Sequence, residues 1–336
     1  MEGEEGDLKG SNIEFTGITN LLVLIVILGF IGNISLIVLF ARRKQHFRHF
    51  NGLVITLACF DLMFLVCGLF LGGNSILGAP EDVLKWIHPF SQIALSGVIY
   101  STVGITIERY LITCKSRSLD KYPLGVVIST LVAFTIIFNI PRFFEMEIES
   151  HDVLVTGMDL RLHPIYVQVY VVWIQFIVNY LVPFSILLIL NILVLKKCMK
   201  MNQMLELEYV SSSESRLEKS VFLAKFSLGV VVMFILCYSV RWIVMGHELY
   251  LLYGSKDVVS NHSIDSFYNN KMSLSQVKDV PQWIIQTHAV STILLTFNSS
   301  VNFYVYLIMK KCTKNRSERP NHPEELQEMK TLTSTD

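Results

Sequence analysis

The sequence predicts an all-α membrane protein, a bundle of seven transmembrane helices with its N-terminus outside and its C-terminus cytoplasmic. Three observations carry that expectation. Of the 336 residues 52% are hydrophobic and only 17% charged, more apolar surface than a soluble chain of this length readily hides. Seven long stretches, about 18–40, 52–72, 87–114, 124–141, 166–195, 221–246 and 282–309, each approach the ~20 apolar residues that a helix needs to cross a bilayer. The basic residues then fall on alternate connections.

Basic loops tend to stay cytoplasmic. The exits of the odd-numbered stretches and the tail hold 19 of the 28 Lys and Arg residues, beginning with Arg42, Arg43, Lys44 and Arg48. The opposite side holds seven, Lys9, Lys85, Arg142, Arg161, Lys256, Lys271 and Lys278; Arg109 and Arg241 lie inside stretches. The expected organisation is an extracellular segment 1–17, a seven-helix domain 18–312 and a cytoplasmic tail 313–336. Residues 1–17 are acidic and lack the basic start of a signal peptide, so the first helix is expected to direct insertion.

A formal net charge of zero conceals this polarity. The outer segments hold 16 acidic residues against the seven bases, a field that draws cationic solutes. Acidic outer loops also follow from topology and solubility alone.

Polar groups inside apolar helices are costly and generally face the bundle interior or a hydrated cavity. The first stretch carries Asn33 in "GFIGNISL" and the second Asp61 in "TLACFDLMFL"; the seventh contains "LTFNSSVNFYVY", with Asn298, Ser299, Asn302 and Tyr306. Asn298 and Asn302 are four apart and share a helix face, from which both can meet Asp61. Amides, waters or a bound sodium ion would keep that carboxylate ionised. The same groups also serve as interhelical hydrogen bonds.

Glu108 and Arg109 end the third stretch beside Tyr110, at its basic boundary. They suit a charge pair that holds helix ends together and releases them, or simply a snorkelling arginine. All six cysteines, Cys59, Cys67, Cys114, Cys198, Cys237 and Cys312, lie within helices or at their cytoplasmic ends, away from oxidising surroundings. Their spacing fits no metal site. Cys312, next to Lys310 and Lys311, is placed for palmitoylation.

In order, Asn33 in "GN", Asp61 in "LACFD", "ERY" at 108–110, Pro183 in the fifth stretch and "NFYVY" at 302–306 resemble the landmarks of rhodopsin-like (class A) G-protein-coupled receptors. The wording "FNIPRFFE", "YLVPFSILLILNILVLKK", "FNSSVNFYVYLIMKK" and "HPFSQIALSGVIYSTVGITIERYLITC" is similar to the FMRFamide-receptor group of invertebrate neuropeptide receptors. The resemblance implies an extracellular amidated peptide ligand, typically ending in Arg-Phe-amide, and coupling to a heterotrimeric G protein at the plasma membrane. It also implies that Glu108 neutralises Arg109 at rest, that Arg109 turns to the G protein on activation, and that Tyr306 supports it. Asn191 stands where most of the family has tyrosine.

The resemblance is incomplete. The family's outer disulfide has no counterpart, since Leu84 stands near one site and 142–165 lacks cysteine; its Cys-Trp-x-Pro is "CYSV" at 237–240, with Tyr238 for the tryptophan and no proline to kink the helix. Ser91, eighteen before Arg109, replaces the aspartate of amine receptors, and 282–309 has no lysine for a retinal Schiff base. By position, the implied ligand contacts are Ser91, Gln92, Leu95, Arg241, Met245, His288 and Thr292. Glu145, Glu147 and Glu149 would catch basic peptide groups, whereas Arg241 would either bind an acidic group or pair with Glu248.

The expected glycosylation site is Asn261, in the one outer sequon. Hydroxyls in 201–220 and 331–336 suit receptor kinases and arrestin, and membrane lipid is the other expected partner. No nucleophile with base, metal cluster or phosphate loop suggests an enzyme, and neither a cofactor beyond sodium nor a nucleic-acid partner is expected. A transporter with Asp61 in its path, a non-signalling receptor-like protein and a receptor for a non-peptide or acidic ligand are the alternatives. The first of these is weakened by the lack of internal repeats and broken half-helices.

Overall fold

The computed structural model describes residues 2–42, 48–72, 81–115, 122–144, 166–207, 225–241 and 282–317, and these form helices joined at their ends. In chain order they are α1 (Glu2–Ala41), α2 (Arg48–Gly72), α3 (Glu81–Lys115), α4 (Leu124–Asn139), α5 (Val182–Leu207), α6 (225–241) and α7 (Gln282–Ser317). Five helical stretches are long and apolar enough to cross a membrane: Asn20–Ala41, Arg48–Phe70, Trp86–Lys115, Leu124–Phe144 and Ile177–Lys200. The sixth and seventh expected stretches are helical over 225–241 and within α7.

Helix ends depart from the expectation for local reasons. α1 begins at Glu2 rather than near residue 18; Glu4, Glu5 and Asp7 fall in its first turns, where acidic groups favour the amide end of a helix. The Pro123 carbonyl opens α4 by accepting from the Val126 and Val127 amides at 2.9 and 3.3 Å. α4 tightens into a 3₁₀ segment, Ile140–Phe144, at Pro141, which has no amide to continue the α-helical ladder. α5 is preceded by two π-helical stretches, Tyr166–Ile174 and Ile177–Leu181. The second hands over to α-helix beside Pro183, which has no amide to give and whose ring crowds the carbonyl four residues back; a widened turn relieves that crowding.

The bundle keeps its polar helix residues inside, among apolar ones, and turns apolar side chains outward. α1 exposes Leu24, Ile27, Ile31, Ile34 and Val38, one helical face, and buries Val26, Asn33, Leu36 and Phe40 on the other. α3 is central and packs against α2, α4 and α5; α1 and α7 both pack on α2 and on each other. Glycine allows two of these approaches, since a Cβ on Gly29 would strike Ser300 and Leu65, and one on Gly97 would strike the Phe60 ring. Small residues at such crossings let helix backbones close together in a bilayer. Hydrogen bonds then fix the register of α7 on α1: Ser300 Oγ donates to the Ile25 carbonyl at 3.0 Å and Tyr304 Oη to that of Leu28 at 3.3 Å.

Candidate functional site

Midway along the bundle, three helices meet at Asp61, which is fully buried. Asn302 Nδ2 donates to its Oδ2 at 2.7 Å, and the Ser299 hydroxyl is also bonded to the carboxylate. Asn33 takes a structural post, its Nδ2 donating to the Ser299 carbonyl at 2.7 Å and to the Gly29 carbonyl at 2.9 Å. Asn298 is buried one turn before Asn302, so Asn302 makes the direct bond to Asp61 and Asn298 does not share it. Oδ1 of Asn33, Asp61, Asn298 and Asn302 is in each case buried without a hydrogen-bond donor.

Toward the Lys115 end of α3, Glu108 and Arg109 are both 1% exposed. The Arg109 guanidinium lies over the Phe50 ring, 3.9 Å from its centre. Phe50 belongs to an aromatic cluster drawn from four helices. Phe40 packs against Phe50 at 6.0 Å and Phe226 at 6.4 Å between ring centres, and Tyr306 meets Phe40 and Phe226 edge-on at 5.5 and 5.7 Å. The sequence reading places Arg109 with Glu108 and Tyr306 but misses Phe40, Phe50 and Phe226, because an aromatic residue in an apolar helix carries no periodic or charge signal.

Tyr110 and Cys114 pack on Val194 and Cys198 of α5, joining α3 to α5 at this end. Asn191 is buried, with its amide turned to the Leu187 carbonyl of its own helix at 2.7 Å.

At the opposite end, Ser91 and Leu95 are buried and Gln92 half-buried on α3, with Arg241 and Thr292 half-buried on α6 and α7. Leu95 joins an apolar cluster with Tyr180, Phe234, Tyr238 and Leu295. Tyr238 stacks on Phe234 at 4.1 Å and tilts against Tyr180 at 6.4 Å. Met245, Glu145, Glu147, Glu149, Glu248 and Asn261, and the side chains of His288 and Cys312, lie outside the described residues.

Two features at this end escape the sequence reading. Arg142, counted there only as a loop base, is 8% exposed and sits 5.7 Å from the centre of the Tyr170 ring; the apolar run that ends at Pro141 gives no reason to expect a buried cation. Gln175 and Asn179 form a buried amide pair. Their spacing of four is the signal that singled out Asn298 and Asn302, and it was legible in the same way.

No protein-family model matches the chain. Over 327 residues, 90% of this chain and 53% of the relative, it is 27% identical to the FMRFamide receptor of Drosophila melanogaster. Over 207 residues, 55% of this chain and 48% of the relative, it is 27% identical to the FMRFamide peptide receptor frpr-18 of Caenorhabditis elegans. The chain spans about half the length of the curated relatives it matches. Along nine-tenths of its own length it resembles an FMRFamide-type neuropeptide receptor of the G-protein-coupled class.

Proposed function

We propose that the chain is a plasma-membrane receptor for an extracellular amidated peptide of the FMRFamide kind, with seven spans and an outside N-terminus. It activates a heterotrimeric G protein through the ends of α3, α5, α6 and α7 that surround Arg109. The observation that carries this reading is the match of 90% of the chain to a protein named for such a ligand. The placement of Arg109 supports it. The Arg109 guanidinium stacks on Phe50 of α2, a ring that itself packs with rings of α1 and α6, so separation of those helices loosens the seat of the charge.

The ring-lined end near Tyr238 receives the peptide, with Ser91, Gln92, Leu95, Arg241 and Thr292 around it; Met245 and His288 join them as contacts by sequence position alone. Asn191 and Tyr306 then support Arg109 in the active arrangement. A sodium ion suits the node at Asp61, where a carboxylate oxygen and the amide oxygens of Asn33, Asn298 and Asn302 lack donors and a hard cation prefers oxygen ligands. When bound there, it neutralises the buried carboxylate and braces α1, α2 and α7.

The test is calcium release in cells that co-express the chain with a promiscuous G protein, challenged with amidated peptides. A saturable response that Arg109→Ala abolishes, with peptide binding retained, is expected. Silence of a surface-expressed receptor across the panel, or full signalling by Arg109→Ala, overturns the reading.

A further inference from the structure

Gln175 and Asn179 stand one above the other at the start of α5's helical column, 3% and 4% exposed. Asn179 Nδ2 donates to Gln175 Oε1. A carboxamide has two N–H donors and an acceptor oxygen, so that bond uses only half of each group. Gln175 Nε2 and Asn179 Oδ1 remain in the interior without a hydrogen-bond partner. Turning both side chains by 180° exchanges their roles and leaves the same offer of one donor and one acceptor. Buried amide groups are ordinarily satisfied, and two unsatisfied faces on adjacent turns make a two-point site.

We infer that this pair receives the C-terminal primary carboxamide of an amidated peptide, an assignment that rests on the peptide-receptor reading above. A primary carboxamide is the mirror of what the pair offers: its oxygen accepts from Gln175 Nε2 while its NH₂ donates to Asn179 Oδ1. A free C-terminal carboxylate has only acceptors. It meets the Asn179 oxygen lone pair to lone pair and must shed its hydration to enter the interior, so amide is selected over acid. Phe176 and Tyr180, which follow each member of the pair by one residue, both pack in the cluster with Leu95, Phe234 and Tyr238. That wall takes an aromatic ring from the residue that bears the amide.

The backbone suits this use. One π-helical stretch ends just before Gln175 and a second contains Asn179, and such turns concentrate at functional sites. Their extra residue per turn supplies slack when α5 opens to admit a ligand. Neighbours hold the segment in place: Tyr100 Oη donates to the Val178 carbonyl and Tyr170 Oη to that of Phe138.

The experiment compares the full-length receptor with Gln175→Glu, Gln175→Leu and Asn179→Asp variants. Two readouts are taken: calcium response to Phe-Met-Arg-Phe-amide and to its free acid, and thermal midpoint of purified receptor with N-acetyl-phenylalaninamide or N-acetyl-phenylalanine. Wild type is expected to prefer amide over acid by about tenfold or more, the range set by unpairing buried polar groups, and to be stabilised by the amide probe alone. Gln175→Leu frees the Asn179 amide to turn its NH₂ towards an acid and brings the ratio to within about threefold, whereas Gln175→Glu and Asn179→Asp keep acceptor oxygens facing the ligand, add a negative charge and keep the preference. An unchanged ratio in Gln175→Leu, with wild type still responding, overturns the inference and leaves the receptor reading standing. Stabilisation of wild type but not Gln175→Leu by the amide probe, without any peptide response, upholds the site and overturns the FMRFamide-type reading. Absence of both effects overturns both.

Discussion

The guanidinium of Arg109 rests 3.9 Å above the centre of the Phe50 ring, with both residues 1% exposed or less. A cation over an aromatic face is worth ~0.5–1 kcal/mol in water and ~2 kcal/mol or more when desolvated. Phe50 itself is wedged between Phe40 and Phe226. Motion of α6 therefore withdraws Phe226 from the packing that keeps the Phe50 ring beneath the charge.

Phe50→Leu keeps most of the volume and removes the ring. If the stack stabilises the resting arrangement by ~1–2 kcal/mol, basal signalling rises by about 5- to 30-fold, each 1.36 kcal/mol being a factor of ten. Basal and peptide-stimulated G-protein activation, normalised to surface receptor, measure this. Basal activity equal to wild type would show that the ring only fills space.

The fold was legible where its cause is compositional. Hydrocarbon length marked the five spans found, and helical spacing turned Asn298 and Asn302 towards Asp61, where Asn302 alone of the two bonds it, at 2.7 Å. What was not legible is decided by neighbours far apart in sequence. Phe50 and Phe226 read as two apolar residues among many until packing sets them at 6.4 Å. Arg142 read as a loop base until Tyr170 closes over it. Asn191, whose expected role belongs to the active arrangement, here bonds within its own helix, the ordinary alternative open to an amide in a helix interior.

Asn302 and Asp61 differ in what their removal leaves behind. Asn302→Leu strips a donor from a fully buried carboxylate and is expected to cost about 1.5–3 kcal/mol. Asp61→Asn replaces the charge with a neutral acceptor that Asn302 can still meet and costs less. Thermal midpoints of the two purified variants should rank Asn302→Leu below Asp61→Asn; the reverse order would mean that the charge itself carries the stability.

Sodium binding at the same node predicts a distinct signature. Replacing N-methylglucamine with NaCl at constant ionic strength should lower the affinity of an activating peptide several-fold in wild type, because the ion braces α1, α2 and α7 in the resting arrangement. Asp61→Asn, which weakens the oxygen set, should lose this dependence. A radioligand titration in both salts decides it, and equal affinities in wild type remove sodium from the account.

Two glycines offer a paired test of the helix crossings. A Cβ on Gly97 would drive into the Phe60 ring, whereas one on Gly125 has nothing within 4 Å. Overpacking of this kind typically costs ~1–3 kcal/mol, and replacing an exposed helical glycine with alanine gains up to about 1 kcal/mol. Gly97→Ala is therefore expected to lower the thermal midpoint and the surface level of the receptor, while Gly125→Ala leaves both at or slightly above wild type. The ring beside Gly97 belongs to Phe60, next to Asp61 in α2, so the collision displaces the node along with the crossing. Phe60→Leu in the Gly97→Ala background makes room for the new methyl and should recover much of the loss. If the double variant is as poor as the single one, α2 and α3 do not meet at this crossing.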